Sequence, residues 1–363
     1  MGLFDAIRSV AEKDPETLNP TRMQKRAQKF GLLSAAGVAL WVCSAAIQRY
    51  SRRYNLQGKN VLITGGSRGL GLLLAREFCR EGARVAICAR DQQELGRARL
   101  VLTADGYEVL PVACDVTDRD QVKDAITQIR NQLGPIQILV NNAGMISVGP
   151  LETMNIDDYE ESIDTHFWGP LNTIIAVLPE MRQRREGRIV NISSIGGKIA
   201  VPHLLPYSVG KFALTGLSEG LRSEAIKDNI YVTTVCPGLM RTGSPRNALF
   251  KSQHRAEYAW FSISDALPGL SMNANRAARQ VVDACARGDS EIVLTVPAKV
   301  ATLVHGVFPE VTVDVLGVVN RFLPPPGGIG TDVRTGKQSK SKASPSWLTA
   351  LNERAAQENN QIA

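Results

Sequence analysis

From Lys59 onward, short apolar runs alternate with longer stretches whose apolar residues recur at helical spacing. The runs are VLIT (61–64), VAIC (85–88), EVLPVAC (108–114), ILVN (138–141), RIVNIS (188–193) and YVTTVC (231–236). Amphipathic stretches at 69–81, 117–133, 157–182 and 207–228 separate them. Apolar strands with helices of roughly 10–20 residues between them predict βαβ units and a parallel sheet. Right-handed crossovers make that an α/β fold of Rossmann type, a doubly wound sheet with helices on both faces. The block runs from 56 to 295 and needs no second domain. Residues 296–330 are apolar and predict a helical extension in two pieces broken at Pro309, closed by PPPGG at 324–328. Residues 331–363 are polar and read as largely disordered, with a short helix near 346–357.

Ahead of the block lie an arm at 1–29 and an uncharged 19-residue run at 30–48, FGLLSAAGVALWVCSAAIQ. The arm carries an amphipathic pattern (Leu3, Phe4, Ile7, Val10) that suits a short helix on a membrane surface or a solvated arm. The run meets the threshold of about 18 residues for a membrane-spanning helix. A single-pass anchor, a buried or partner-packing helix and a cleaved signal all fit it; the arm is long for a signal peptide. Lys25, Arg26 and Lys29 precede the run and Arg49, Arg52 and Arg53 follow it, so charge sets no orientation.

With 44% hydrophobic and 21% charged residues, the chain is not wholly disordered, collagen-like or coiled-coil. The net charge of +7 is diluted over 363 residues and gathers near the N-terminus, so no nucleic-acid partner is expected. Cys43, Cys79, Cys88, Cys114, Cys236 and Cys285 form no C-x-x-C pair. They read as buried free thiols in a reducing compartment. No cluster has metal-ligand spacing.

The first strand runs into Thr64-Gly65-Gly66-Ser67-Arg68-Gly69-Leu70-Gly71. Glycines at 65, 69 and 71 let the backbone turn tightly and approach a pyrophosphate, with a helix N-terminus supplying N–H donors. An acid at the end of the second strand would bond the 2′-hydroxyl of NAD. Here Cys88-Ala89-Arg90 ends it. Arg68 and Arg90 are placed to bracket a 2′-phosphate, which favours NADP(H).

Tyr207 and Lys211 stand at i and i+4, on one face of a helix. A nearby ammonium favours the phenolate and lowers the tyrosine pKa, so the pair suits proton exchange at an alcohol or carbonyl oxygen. Ser194 lies thirteen residues upstream, after a strand, where its hydroxyl would reach the same oxygen.

Taken in order, TGGSRGLG, CDVTD (114–118), NNAG (141–144), NISS (191–194), YSVGK (207–211) and CPG (236–238) resemble the short-chain dehydrogenase/reductase family over residues 56–295. The layout is similar to NADP-preferring, membrane-associated members such as hydroxysteroid and retinol dehydrogenases and 3-ketosphinganine reductases. The resemblance implies that Asp115 and Val116 meet the adenine and that Asn142, Ala143 and Gly144 line the cofactor. It places Pro237, Gly238 and Thr242 beside the nicotinamide. It makes Tyr207 the acid/base, Lys211 the group that lowers its pKa and holds the ribose, and Ser194 the group that orients the carbonyl. One departure stands out. Where the family has Asn in N-x-x-G, this chain has His166-Phe167-Trp168-Gly169. His166 either carries protons in place of the amide-bound water or is a packed helix residue with the relay rerouted.

The segments that vary within the family hold Met145, Ile146 and Val148; Ile195, Ile199, Val201, Leu204 and Leu205; and Leu239, Met240, Phe250, Tyr258, Trp260 and Phe261. They suggest a lipophilic substrate. The reading is an NADP(H)-dependent carbonyl/alcohol oxidoreductase, held to a membrane by its N-terminal segment with the catalytic domain on the cytoplasmic side. A homodimer or homotetramer is expected from the resemblance. The alternative is a non-catalytic dinucleotide-binding sensor or scaffold on the same fold.

Overall fold

The computed structural model describes residues 52–341, 344 and 349–361. The run at 30–48 lies outside them. No helix of the described residues is long and apolar enough to cross a membrane.

Seven parallel strands form the central sheet: β1 (Asn60–Thr64), β2 (Arg84–Ala89), β3 (Val109–Ala113), β4 (Ile138–Asn141), β5 (Gly187–Ile192), β6 (Ile230–Pro237) and β7 (Glu291–Leu294). They lie in the order 7-6-5-4-1-2-3. The last is a strand that the apolar-run pattern does not isolate. It pairs with β6 through Ile292↔Val235 and Val293↔Cys236. The two-residue period of a strand sorts the sheet into two cores. Val61 and Ile63 of β1 face α1 (Gly69–Arg80) and α8 (Ala274–Arg287). Leu62, between them, joins the core of α3 (Arg119–Leu133) and α5 (Gly169–Arg184). Burial on both faces is why these strands read as continuous apolar runs.

Carboxylate side chains start two of the helices, the first of them in a stretch that the amphipathic pattern does not isolate. Asp91 caps α2 (Gln92–Ala104) and Asp118 caps α3, each carboxylate accepting two backbone N–H groups. The stretch read as one helix over 157–182 is divided into α4 (Ile156–Ile163), a π-helical turn at Asp164–Trp168 and α5. The extra residue in that turn falls around His166. α6 (Leu205–Ala225) follows β5, and α7 (His254–Ala266) lies in the long segment after β6.

Strand order reverses between β1 and β4, and a crevice opens there beyond the strand ends. Thr64 closes the floor of that crevice. Its hydroxyl accepts the N–H groups of Asn142 (2.9 Å) and Ala143 (3.0 Å).

After the sheet come two 12-residue helices, α9 (Val296–Val307) and α10 (Pro309–Asn320), divided at Phe308. No residue of α10 is buried. The reading of 331–363 as largely disordered is corrected over its described part. Arg334–Thr335 pairs antiparallel with Leu249–Phe250. α11 (Ala350–Glu358) buries Ala355 and Ala356 against the domain. Its polarity is that of a segment held by hydrogen bonds, which composition alone does not distinguish from disorder.

Candidate active site

The glycine loop is shaped as its composition demands. Gly65 and Gly69 have φ of 63° and 56°, in the left-handed region that glycine enters without strain. A Cβ on Gly65 would lie 2.8 Å from Ala143 Cα, and one on Gly71 only 2.0 Å from the Gly65 carbonyl oxygen. α1 starts at Gly69 with no side-chain cap from Arg68, and the Gly69 N–H donates to the Asn359 carbonyl (2.9 Å).

A cavity of about 790 Å³ extends from this loop to Trp260 and Phe261. Gly65, Ser67, Arg68, Gly69, Leu70, Arg90, Asp115, Val116, Asn142, Ala143, Gly144, His166, Ser194, Tyr207, Lys211, Pro237, Gly238 and Thr242 all line it. Gly71 is the candidate that does not. It lies beneath the loop, where lack of a side chain permits close packing.

The reaction centre forms where β5 meets α6. The Ser193 hydroxyl donates to the Lys211 carbonyl (3.0 Å), tying helix to strand end. Lys211 Nζ donates to the Ile192 carbonyl (2.8 Å) and lies 5.6 Å from the centre of the Tyr207 ring. Ser194 Oγ accepts the Gly196 N–H (3.0 Å) and shares a hydrogen bond with Tyr207.

The electrostatics differ from the expectation that Lys211 lowers the Tyr207 pKa. Burial pushes the Tyr207 phenol up to about 12, opposed by the Ser194 hydrogen bond. Burial also brings the Lys211 ammonium down to about 7. With Lys211 buried and the Tyr207 phenol enclosed by the cleft, desolvation penalises each charge more than the pair relieves it. Tyr207 is therefore a neutral phenol at pH 7, the protonation state of a proton donor.

His166 is fully buried, its ring edge-on to Tyr207 at 5.4 Å. The Met145 N–H donates to Nε2 (3.3 Å), which places the ring proton on Nδ1. Nδ1–H then faces Ser162 Oγ at 3.2 Å, and that hydroxyl donates to the Pro206 carbonyl at 2.7 Å. Burial first, and then the Lys211 charge, hold the His166 pKa well below its usual value. The imidazole is thus neutral, engaged at both nitrogens, and linked to the residue before Tyr207.

At the adenine end the two arginines are unequal. Arg68 Nη1 lies 2.6 Å from Glu94, which also accepts from Ser67 (3.1 Å). Arg90 is 73% exposed and only 4.0 Å from Asp115. Glu94, in the first turn of α2, is absent from the sequence reading because no glycine-loop spacing points to it. Asp265 is a second omission. It lines the far end of the cavity, accepts the Met240 N–H (3.1 Å) and the Asn352 side-chain amide (3.1 Å), and is pushed up to about 7 by burial.

Of the apolar candidates for the substrate end, Met145, Ile146, Ile195, Val201, Leu204, Leu239, Met240, Trp260 and Phe261 line the cavity. Val148, Phe250 and Tyr258 are packed together in a small core behind it. His203, in the loop before α6, has its Nδ1 2.9 Å from Glu257, whose other oxygen accepts the Trp260 indole N–H (2.6 Å). That network orients Trp260 toward the cavity.

A sequence profile described as short chain dehydrogenase matches residues 59–251. The Anopheles gambiae Dehydrogenase/reductase SDR family protein 7-like is 34% identical over 252 residues, 68% of this chain and 77% of that one. The 3-dehydrosphinganine reductase of Danio rerio is 37% identical over 187 residues, half of this chain and 56% of its own. Among solved structures, a gluconate 5-dehydrogenase from Burkholderia cenocepacia, in complex with NADP and tartrate, superposes with a TM-score of 0.60. It is 26% identical and covers 68% of this chain and 98% of that one. Profile, relatives and ordered motifs on a shared sheet agree: this chain belongs to the short-chain dehydrogenase/reductase family.

Proposed function

We propose that the protein is an NADP(H)-dependent oxidoreductase that interconverts a carbonyl and an alcohol on a lipophilic substrate, working as a reductase at neutral pH. The observation that carries the substrate class is the lining around Tyr207 and Ser194. Met145, Ile146, Val201, Leu204, Trp260 and Phe261 surround the reacting position, and Asp265 is a lone carboxylate among them. Such a surface rewards apolar area more than the many hydroxyls of a sugar.

The chain's residues fit the cofactor. The glycine loop and the α1 N-terminus suit the pyrophosphate, Arg68 and Arg90 suit a 2′-phosphate, and Asp115 and Val116 flank the adenine position. Asn142, Ala143, Gly144, Pro237, Gly238 and Thr242 suit the nicotinamide half. The bound cofactor supplies the hydride. Ser194 orients the carbonyl oxygen by hydrogen bonding. Tyr207 donates the proton to that oxygen as it gains charge. Lys211 replenishes the proton and holds the ribose. His166 acts as a positioning residue, since both its nitrogens are engaged and its chain of hydrogen bonds ends beside Tyr207.

The same reading places the enzyme at a membrane. The run at 30–48 supports an anchor. The exposed Leu303, Val307, Phe308, Val311, Val315 and Phe322 of the α9–α10 region support contact with an apolar phase.

The test is NADPH oxidation by the full chain with long-chain ketones and aldehydes beside sugar-derived ketones. Turnover of the lipophilic set, lowered at least about a hundredfold by Tyr207→Phe with NADPH binding retained, is the expected result. Preference for the sugar ketones would remove the substrate class. Activity that survives Tyr207→Phe would remove the mechanism.

A further inference from the structure

The floor and sides of the cavity come from strand ends, but its roof over the glycine loop comes from the other end of the chain. α11 sits on the loop after β6. Asn352 Oδ1 accepts the Gly243 N–H (3.0 Å), and Glu353 pairs with Arg246 (2.7 Å). Beyond the helix, three consecutive amide residues bridge the two sides of the cleft. The Asn359 carbonyl accepts the Gly69 N–H (2.9 Å), while its side chain donates to the Thr242 carbonyl (3.3 Å). Asn360 donates to the carbonyls of Ser67 (2.8 Å) and Glu94 (3.3 Å). Gln361 accepts from Asn247 (2.5 Å), and its own amide nitrogen lies 2.6 Å from where a Cβ on Gly69 would be.

We propose that residues 349–361 form a strap across the pyrophosphate stretch of the cleft, and that Asn359, Asn360 and Gln361 set the rate at which NADP(H) is exchanged. The proposal rests on the reading of the cleft as a cofactor site. Two observations make the segment a roof and not a plug. Gln361 lines the cavity while about 790 Å³ stays open beneath it, within the range of sites that enclose small ligands. The groups that touch the glycine loop are neutral amides and one carbonyl, which takes the Gly69 N–H and carries no charge. A dinucleotide seated below is covered on the side from which it must leave. Neutral hydrogen bonds, the single Glu353–Arg246 ion pair and the buried side chains of Asn352, Ala355, Ala356, Asn359 and Gln361 hold the segment in place. Hydrogen bonds of this kind contribute only about 1 kcal/mol net each, and the opening of segments that cover a bound ligand often governs its release.

The experiment is stopped-flow NADPH fluorescence on the full chain, on the double variant Asn360→Ala/Gln361→Ala, and on a chain ending at residue 348, with thermal melts to confirm folding. The expected result is an NADPH dissociation rate at least about tenfold faster in both variants, and a weaker Kd. Asn247→Ala, which removes only the partner of Gln361, moves the rate in the same direction by less. Dissociation unchanged in the folded variants would overturn the strap. Faster association with a tighter Kd would overturn it as well, by making the segment a competitor of the cofactor. If the intact chain binds no NADPH at all, the cofactor reading itself fails, an outcome distinct from normal binding with unaltered release.

Discussion

The floor and the roof of the cleft solve the same problem with different chemistry. The floor is backbone. β1 and β4 end side by side, Thr64 gathers two N–H groups, and glycines let the chain pass close to itself. The roof is side-chain amide. Asn247, Asn352, Asn359, Asn360 and Gln361 knit loops that are more than one hundred residues apart. A backbone-built surface depends on local sequence and is rigid. An amide-laced one depends on distant pairings, each worth about 1 kcal/mol net, and is built to be undone.

One glycine from each surface tests that contrast with the largest effect. In Gly71→Ala the new methyl meets the Gly65 carbonyl oxygen at 2.0 Å, and neither backbone has room to move. Loss of soluble protein, or a melting temperature lowered by more than ten degrees (on the order of 3 kcal/mol or more) with NADPH binding abolished, is expected. In Gly243→Ala the methyl meets Ala356 at 2.4 Å, and φ is +82°. Here α11 can lift away, so the protein should fold with a smaller loss and release NADPH faster. Equal thermal losses in the two variants would erase the distinction between floor and roof.

His166 probes how finely the floor aims Tyr207. His166→Leu deletes both hydrogen bonds and frees the start of α6, and kcat should fall by about a hundredfold, as for a misplaced catalytic group. His166→Asn places the family's usual amide there and should keep kcat within about tenfold, with KM little changed. Near-wild-type rates in both would remove His166 from the mechanism.

Lys211 shows what the floor gives up for its chemistry. Its pKa falls from the ordinary 10.5 to about 7 in the fold. Below pH 7 both folded and unfolded chains carry the charge, and the folded one bears the full desolvation cost. Between pH 7 and 10.5 the folded chain sheds the proton first, so stability rises with pH across that window. Lys211→Met should therefore raise the melting temperature of the cofactor-free protein by several degrees at pH 6 (about 2 kcal/mol or more) and by much less near pH 10. A pH-independent difference would show that the ammonium is not desolvated.

The same contrast decides what was legible in the sequence. Six of the seven strands follow from apolar runs, because a parallel strand buried on both faces is an unbroken apolar string. The candidate site residues drawn from the motifs, other than Gly71, line the cavity, whereas of the apolar candidates Val148, Ile199, Leu205, Phe250 and Tyr258 do not. β7 was harder to see: only four residues long, it begins with Glu291, whose carboxylate pairs with Lys198. The fall in the Lys211 pKa was hidden because spacing shows that two groups are close, and burial determines which effect wins. Asp265 and the 359–361 amides carry no motif, since their partners lie elsewhere in the chain. Polarity concealed the order in the tail for the same reason.

The smallest expected effect lies at the adenine end, where the two surfaces meet. Arg68 is held by Glu94, and Asn360 of the roof bonds the Glu94 carbonyl, so Arg68 is fixed before any ligand arrives. Arg90 has only a 4.0 Å approach to Asp115 and is 73% exposed. An ion pair made by so exposed a side chain contributes up to about 1 kcal/mol, equivalent to roughly fivefold in affinity. Arg90→Ala should thus weaken NADPH by a few-fold and leave NADH unchanged, whereas Arg68→Ala should weaken NADPH by more because its guanidinium is already oriented. Titration of both cofactors against both variants decides the matter. An equal loss for NADPH and NADH would mean that neither arginine reads the 2′-phosphate. A larger loss in Arg90→Ala than in Arg68→Ala would mean that Glu94 neutralises the arginine it holds, and that the exposed one does the selecting.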